Sequence, residues 1–152
     1  MKGVKTMRLW HYELLPYLPD AQFKGQLREL VAIMHDWRDK SKTNHLLINK
    51  VMEYEQNELV RYYIYYETVY HQRYGKWIDQ KYWEEFKAFQ KEEADKKRYY
   101  SKGWHNKDYL RVCMANLYEK HIFGIGKSRI TDDEWETLCR GYKAITGEDY
   151  AI

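Results

Sequence analysis

Pro16 and Pro19 are the only prolines in this chain, and both precede the first sustained helical pattern. From Asp20 onward, apolar residues return at the three- and four-residue spacing of an α-helix, segment after segment. No stretch shows the convincing alternation of a half-buried strand. Proline is the strongest interruption a helix can meet, and none follows position 19. The expected fold class is therefore all-α, a compact single-domain bundle of about five helices.

The elements can be placed. Asp20 is a plausible N-cap for a helix over roughly residues 21–37, with Phe23, Leu27, Leu30, Val31 and Met34 on its apolar stripe. On that helix Glu29 is expected to turn away from the core, on a flank with Gln22, Gln26 and Ile33. The charged run Asp36–Thr43 reads as a loop, and 44–54 as a short helix or irregular chain. A long helix carries Leu59, Tyr62, Tyr63, Tyr66, Val69 and Tyr70 and ends near Gly75. Trp83, Phe86 and Phe89 open another, running into the solvated charges Lys91–Arg98. A fourth starts near Asn106 and carries Leu110, Cys113, Met114 and Leu117. Thr131 with Glu134 forms a capping box for the last, with Trp135, Leu138 and Tyr142 on its stripe.

At 152 residues the chain can bury one proper core. It has no apolar run near the ~20 residues a membrane span needs, and MKGVKT has no apolar leader region. Cys113 and Cys139 are far apart, each inside a helical pattern, and read as buried free thiols of a reducing cytoplasm. The six histidines never fall three or four residues apart, so no helical metal pair exists.

The net charge is only +3, well short of a strongly basic nucleic-acid binder. Its distribution alternates: +4 over residues 1–50, −2 over 51–90, +3 over 91–107 and −2 over 108–152. The two basic segments would make one positive face if the fold joined them; otherwise the surface is simply mixed. Sixteen tyrosines, six tryptophans and four phenylalanines interleave with cations at Arg61-Tyr62-Tyr63, Arg73-Tyr74-Gly75-Lys76-Trp77 and Lys97-Arg98-Tyr99-Tyr100. Such runs suit base stacking beside phosphates. They equally suit a core in which tyrosine replaces leucine and keeps its hydroxyl wet. The run Gly124-Ile125-Gly126-Lys127-Ser128 lacks the glycine of a phosphate-binding loop five residues before Gly126, where His121 stands. No strand precedes it either, and it reads as a helix-ending turn.

From Met7 the chain runs MRLWH-YE-LLPYLPDAQFKGQLREL. The positions Met7 to His11, Leu14 or Leu15 with Pro16, Leu18-Pro19, Gln22, Gly25-Gln26 and Arg28-Glu29 resemble the N-terminal segment of the pyrimidine-dimer DNA glycosylase family. A second block, His45, Ile48-Asn49, Val51, Tyr54 and Leu59, is similar to that family's next segment. A third and weaker block comprises His105, Tyr109-Leu110, Cys113, Asn116-Leu117 and Lys120. The resemblance spans roughly residues 7–122, which implies a six-residue N-terminal extension (1–6), a glycosylase-like helical domain (7–122) and a C-terminal helical extension (123–152) packed on it.

The resemblance implies an all-helical repair enzyme, a glycosylase with AP lyase activity on pyrimidine dimers or related damage. In the family an α-amino group attacks the sugar C1′, a Schiff base forms, and β-elimination nicks the strand. It implies catalytic roles for Glu29, for Met7 through a free amine if the chain starts there, and for Arg28. It implies DNA contacts from Arg8, Arg28, His45, Asn49 and Lys120. The partner is double-stranded, damaged DNA; no cofactor, metal or membrane is expected, the protein acts as a monomer, and its place is the cytoplasm at the nucleoid. Two departures stand out. A family arginine one helical turn after the glutamate is Ala32 here, and MKGVKT precedes Met7. In a chain begun at Met1 the Met7 nitrogen is an amide, leaving Lys2 or Lys5 as substitutes. Two other readings fit the residues: a non-catalytic DNA-binding module on the same scaffold, and a helical protein-interaction domain with a tyrosine interface.

Overall fold

The computed structural model describes residues 9–40, 56–90 and 105–151. The chain is all-α: a short 3-10 helix, Tyr12–Tyr17, precedes α1 (Asp20–Lys40), α2 (Gln56–Tyr74), α3 (Gln80–Phe89) and α4 (Lys107–Phe123). A 3-10 turn at Gly126–Ser128 then leads into α5 (Asp132–Thr146). Among the described residues there is no strand.

The caps explain where the helices begin. Asp79 accepts the Lys81 N–H at 3.0 Å to open α3, and Asn106 accepts that of Tyr109 at 2.8 Å to open α4. The capping box of α5 is complete: Glu134 N–H to Thr131 Oγ1 at 3.2 Å, and Thr131 N–H to Glu134 Oε1 at 3.0 Å. Asp20 behaves otherwise. It lies inside α1, and its carboxylate accepts from Arg73 Nη2 at 3.0 Å and the Tyr74 hydroxyl at 2.6 Å. These partners hold its carboxyl below the usual range, the Tyr74 hydrogen bond most of all. Asp20 thus pins the start of α1 to the end of α2 instead of capping its own helix.

α1 also outruns the sequence expectation, reaching Lys40 where a loop from Asp36 was expected. Contacts with α3 account for it: Trp37 packs edge-on against Phe89, and His35 meets Glu85 at 2.7 Å. Tertiary packing overrides a polar local sequence. α3 itself closes at Phe89, with Gln90 N–H bonded to the Phe86 carbonyl, while residues 44–54 and Lys91–Arg98 lie outside the described residues.

The core is built on aromatic rings. Tyr62, Tyr63 and Tyr66 of α2 are fully buried, and Phe23 stacks on Tyr66 at 4.5 Å, Tyr63 on Phe86 at 4.3 Å. The tyrosine core expected from spacing is present, but two hydroxyls are not wet. Tyr62 donates to the Trp10 carbonyl at 2.7 Å and Tyr66 to the Phe23 carbonyl at 2.6 Å. The cation–aromatic run at 73–77 is likewise partly structural: the Arg73 guanidinium lies 4.3 Å from the Phe23 ring centre and donates to the Leu15 carbonyl at 2.9 Å. Cys113 is buried as expected, whereas Cys139 is only half-buried.

The 3-10 helix packs chiefly on α2 and α5. The α5 contact is unusually close: a Cβ added to Gly141 would lie 2.4 Å from Tyr17 Cγ. The third sequence block meets the first here. His11 Nε2 donates to the His105 carbonyl at 3.0 Å, and the Tyr12 N–H donates to His105 Nδ1 at 3.1 Å. The Tyr109 hydroxyl donates to the Leu9 carbonyl, and the His11 N–H reaches Cys113 Sγ at 3.4 Å. α4 therefore serves as the bed on which the N-terminal segment lies.

Candidate active site

The site begins with a buried amide. Gln26 is fully buried on α1, where its Oε1 accepts the Trp10 N–H at 2.7 Å. The Tyr62 hydroxyl, donating to the Trp10 carbonyl, lies 3.2 Å from the same oxygen. With Oε1 so engaged, Nε2 faces outward and donates to Glu29 Oε2 at 3.3 Å. One glutamine thus ties the backbone of the N-terminal segment to the carboxylate one turn along α1. The expected flank of Gln22, Gln26 and Ile33 is not a solvated one: all three are buried, and Glu29 is half-buried beside them. The polar pair at i and i+4 escaped the apolar stripe because it is buried by hydrogen bonding rather than by hydrophobicity.

Glu29 opens into a cleft of about 250 Å³. Trp10, Gly25 and Arg28 line it from the N-terminal segment and α1, Lys120 from α4, and Lys127 from the turn before α5. Arg28 is exposed and Lys120 half-buried. Cations from three parts of the chain therefore border one carboxylate, a setting suited to a phosphate-flanked sugar.

The turn carrying Lys127 is fixed to both helices. Gln22 Nε2 donates to the Ser128 carbonyl at 3.0 Å. The Lys120 carbonyl accepts the Gly124 N–H at 3.1 Å and the Ile130 N–H at 3.3 Å. This packing admits only glycine at 124, where a Cβ would fall 2.2 Å from the Lys120 carbonyl oxygen. As expected from its sequence, the run 124–128 is a turn that ends a helix.

His11, next to Trp10 in the N-terminal segment, and His105, just before α4, are buried neutral. The Glu13 N–H donates to His11 Nδ1 at 3.2 Å, so the His11 proton sits on Nε2, where it is donated to the His105 carbonyl. His105 accepts at Nδ1 and carries its proton on Nε2. Burial pushes the His11 pKa down to about 4 and that of His105 well below its ordinary value.

Of the residues singled out from sequence, Glu29, Arg28 and Lys120 come together in the cleft. Met7, Arg8, His45 and Asn49 lie outside the described residues, as do Lys2 and Lys5 and nearly all of the second basic segment. Sequence reasoning missed Lys127 and the bridging role of Gln26. Among the described residues no cluster of His, Cys, Asp and Glu is arranged to hold a metal, and no helix is long and apolar enough to cross a membrane.

Comparison with known proteins finds a match over the part of the site that the N-terminal segment and α1 supply. No curated protein matches the chain, and no solved structure does. Residues 7–79 match the family model of pyrimidine dimer DNA glycosylase, which indicates a function of that kind. The match takes in the whole N-terminal segment, α1 and α2, with Trp10, Gln26, Arg28 and Glu29, and ends before α4 and α5. It is in residues 7–79, the segment that carries Glu29, that this chain is similar to the pyrimidine dimer DNA glycosylase family.

Proposed function

We propose that the protein is a DNA repair glycosylase with AP lyase activity, acting on pyrimidine dimers or related lesions in double-stranded DNA. The observation that carries this reading is the junction of Glu29 with the Trp10 backbone through Gln26. Met7 is three residues before Trp10 in sequence, and three residues span at most about 10 Å. Trp10 itself lines the Glu29 cleft, and this closeness of the N-terminal segment to the carboxylate is what supports an amine nucleophile there.

The chemistry asks for a neutral amine, and an α-amino group with a pKa of about 7.7–8 supplies one far more readily than lysine does. Its lone pair attacks C1′ of the damaged nucleoside. The glycosidic bond breaks, and the base leaves with the bonding electrons and takes up a proton. The sugar ring opens as a C1′ imine forms with the amine. Loss of the C2′ proton then expels the 3′ phosphate, and hydrolysis of the imine releases the protein. Glu29 stabilises the positive charge that develops at the sugar and relays protons. Arg28 and Lys120 hold the flanking phosphates, with Arg8, His45 and Asn49 as further contacts implied by resemblance. In this reading residues 7–122 form the glycosylase domain, 123–152 an extension packed on it, and the protein works as a monomer on nucleoid DNA.

Borohydride reduction of the protein with UV-irradiated or abasic duplex tests the proposal. A chain beginning at Met7 should give a covalent adduct at its N-terminal nitrogen, and Glu29→Gln should abolish it. Absence of any adduct, or normal strand cleavage by Glu29→Gln, overturns it. A chain that retains MKGVKT and binds duplex without nicking it would instead be a DNA-binding module on this scaffold.

A further inference from the structure

We infer that the turn between α4 and α5 is a second DNA-contacting wall, whose apolar tip, Phe123 and Ile125, enters the duplex beside the lesion while Lys127 holds a phosphate. The inference rests on reading the Glu29 cleft as the DNA site, and it concerns residues beyond the segment matched to the family.

Exposure is the first observation. Phe123 is 80% and Ile125 83% exposed, well above the other exposed large apolar side chains among the described residues, the next being Trp77 at 58%. Two large apolar side chains, neighbours across one glycine, form a patch of the kind that marks an interaction site. Their location is the second. Phe123, Ile125 and Asn116 border a groove of about 400 Å³ that also touches Glu119. Lys120 and Ser128 line this groove and the Glu29 cleft alike, so the apolar tip stands at the rim of the candidate active site.

Charge selects the partner. From Lys120 to Thr131 the chain carries Lys120, Lys127 and Arg129 and no Asp or Glu. A hydrophobic tip flanked by three cations, with Glu119 the one carboxylate bordering its groove, matches nucleic acid, with apolar groups against base faces and cations on the backbone. Rigidity is the last point. The turn is fastened at Lys120, Gln22 and Ile130, with His121 Nδ1 2.9 Å from the Ile130 carbonyl and Ile130 itself fully buried. A tip held this firmly costs little further ordering when it binds.

A non-cleavable duplex containing a tetrahydrofuran abasic analogue opposite 2-aminopurine separates the possibilities. The full chain should raise 2-aminopurine fluorescence on binding. The double variant Phe123→Ala/Ile125→Ala should bind about tenfold more weakly and lose most of that rise. Lys127→Ala should lower the slope of log affinity against log salt by about 0.9. Since all three side chains are solvent-exposed, thermal melting of the variants should match that of the unaltered chain. Unchanged affinity and fluorescence in the double variant overturn the inference. So does an unaltered chain that self-associates through this tip, seen as a concentration-dependent mass in sedimentation that the double variant abolishes. The adduct test reports separately. An unaltered chain that traps no adduct while the double variant weakens duplex binding sinks the glycosylase reading and leaves the turn's role standing. Normal trapping with an indifferent double variant does the reverse, and a chain with no duplex affinity at low salt sinks both.

Discussion

Gln26 donates to Glu29 at 3.3 Å with one end of its amide and accepts the Trp10 N–H at 2.7 Å with the other. The Glu29 carboxylate and the N-terminal segment are thereby held in one register by a single fully buried side chain. Gln26→Leu keeps the volume but leaves the Trp10 N–H without this acceptor in the core. The expected cost is about 1–3 kcal/mol of stability, read from denaturant midpoints. Borohydride trapping per folded molecule should fall as well, because Glu29 and the chain start lose their common anchor. Full trapping in a stable Gln26→Leu protein would separate the hydrogen-bond bridge from catalysis.

The buried histidine pair makes stability depend on pH, and the sign can be worked out. His11 has a pKa of about 4 in the folded protein against 6.5 in the unfolded chain, so the unfolded chain binds protons first. Stability from this site is complete above pH 6.5 and is lost as pH falls toward 4, a total of about 3 kcal/mol if the whole shift is realised. His105 acts in the same direction. His11 faces the His105 carbonyl and the Glu13 N–H, and His105 accepts from the Tyr12 N–H. Urea denaturation at pH 7.5, 6 and 5 should show the midpoint falling, and His11→Asn should flatten the fall even where it lowers stability overall.

Gly141 lets α5 sit directly on the Tyr17 ring. Gly141→Ala would set a methyl 2.4 Å from Cγ and 2.9 Å from Cβ of Tyr17, atoms near the root of the side chain that cannot swing aside. Destabilisation of about 1–3 kcal/mol is expected, despite alanine's better helix propensity. Tyr17→Ala made in the same chain removes the clash, so the double variant should lose less than the sum of the two single ones. Additive losses in thermal melts would mean that the two positions do not meet.

How much of this was legible beforehand follows from the kind of force involved. Apolar periodicity located the five α-helices of the described residues, and the Thr131–Glu134 capping box marked the start of the last. The turn at 124–128 was likewise readable, because glycine spacing and the absence of a strand are local facts. What stayed hidden was tertiary. The contact of Trp37 with Phe89 joins residues more than 50 apart in sequence, and Asp20 exchanges a cap for Arg73 and Tyr74. In the cleft, Glu29 and Arg28 were legible through resemblance, as was Lys120, though nothing in sequence said that α4 meets α1. Lys127 carried no mark beyond its place in a glycine-rich turn. It became visible only once Gln22 and the Lys120 carbonyl were seen to hold that turn against the cleft.

The cleft's charges should divide into those that hold DNA and one that acts on it. Arg28 and Lys120 flank Glu29 from different helices, so each can neutralise a separate phosphate. Arg28→Ala and Lys120→Ala should each weaken duplex binding and lower the salt slope by about 0.9, since each releases fewer counterions. Glu29→Gln removes a negative charge from the same cleft. Its affinity for undamaged or abasic duplex should equal or exceed that of the unaltered protein, while trapping disappears. Fluorescence anisotropy across a salt series, paired with borohydride trapping on the same proteins, separates the two effects. If Glu29→Gln lost affinity in step with trapping, the carboxylate would be organising the DNA-binding surface instead of the sugar chemistry.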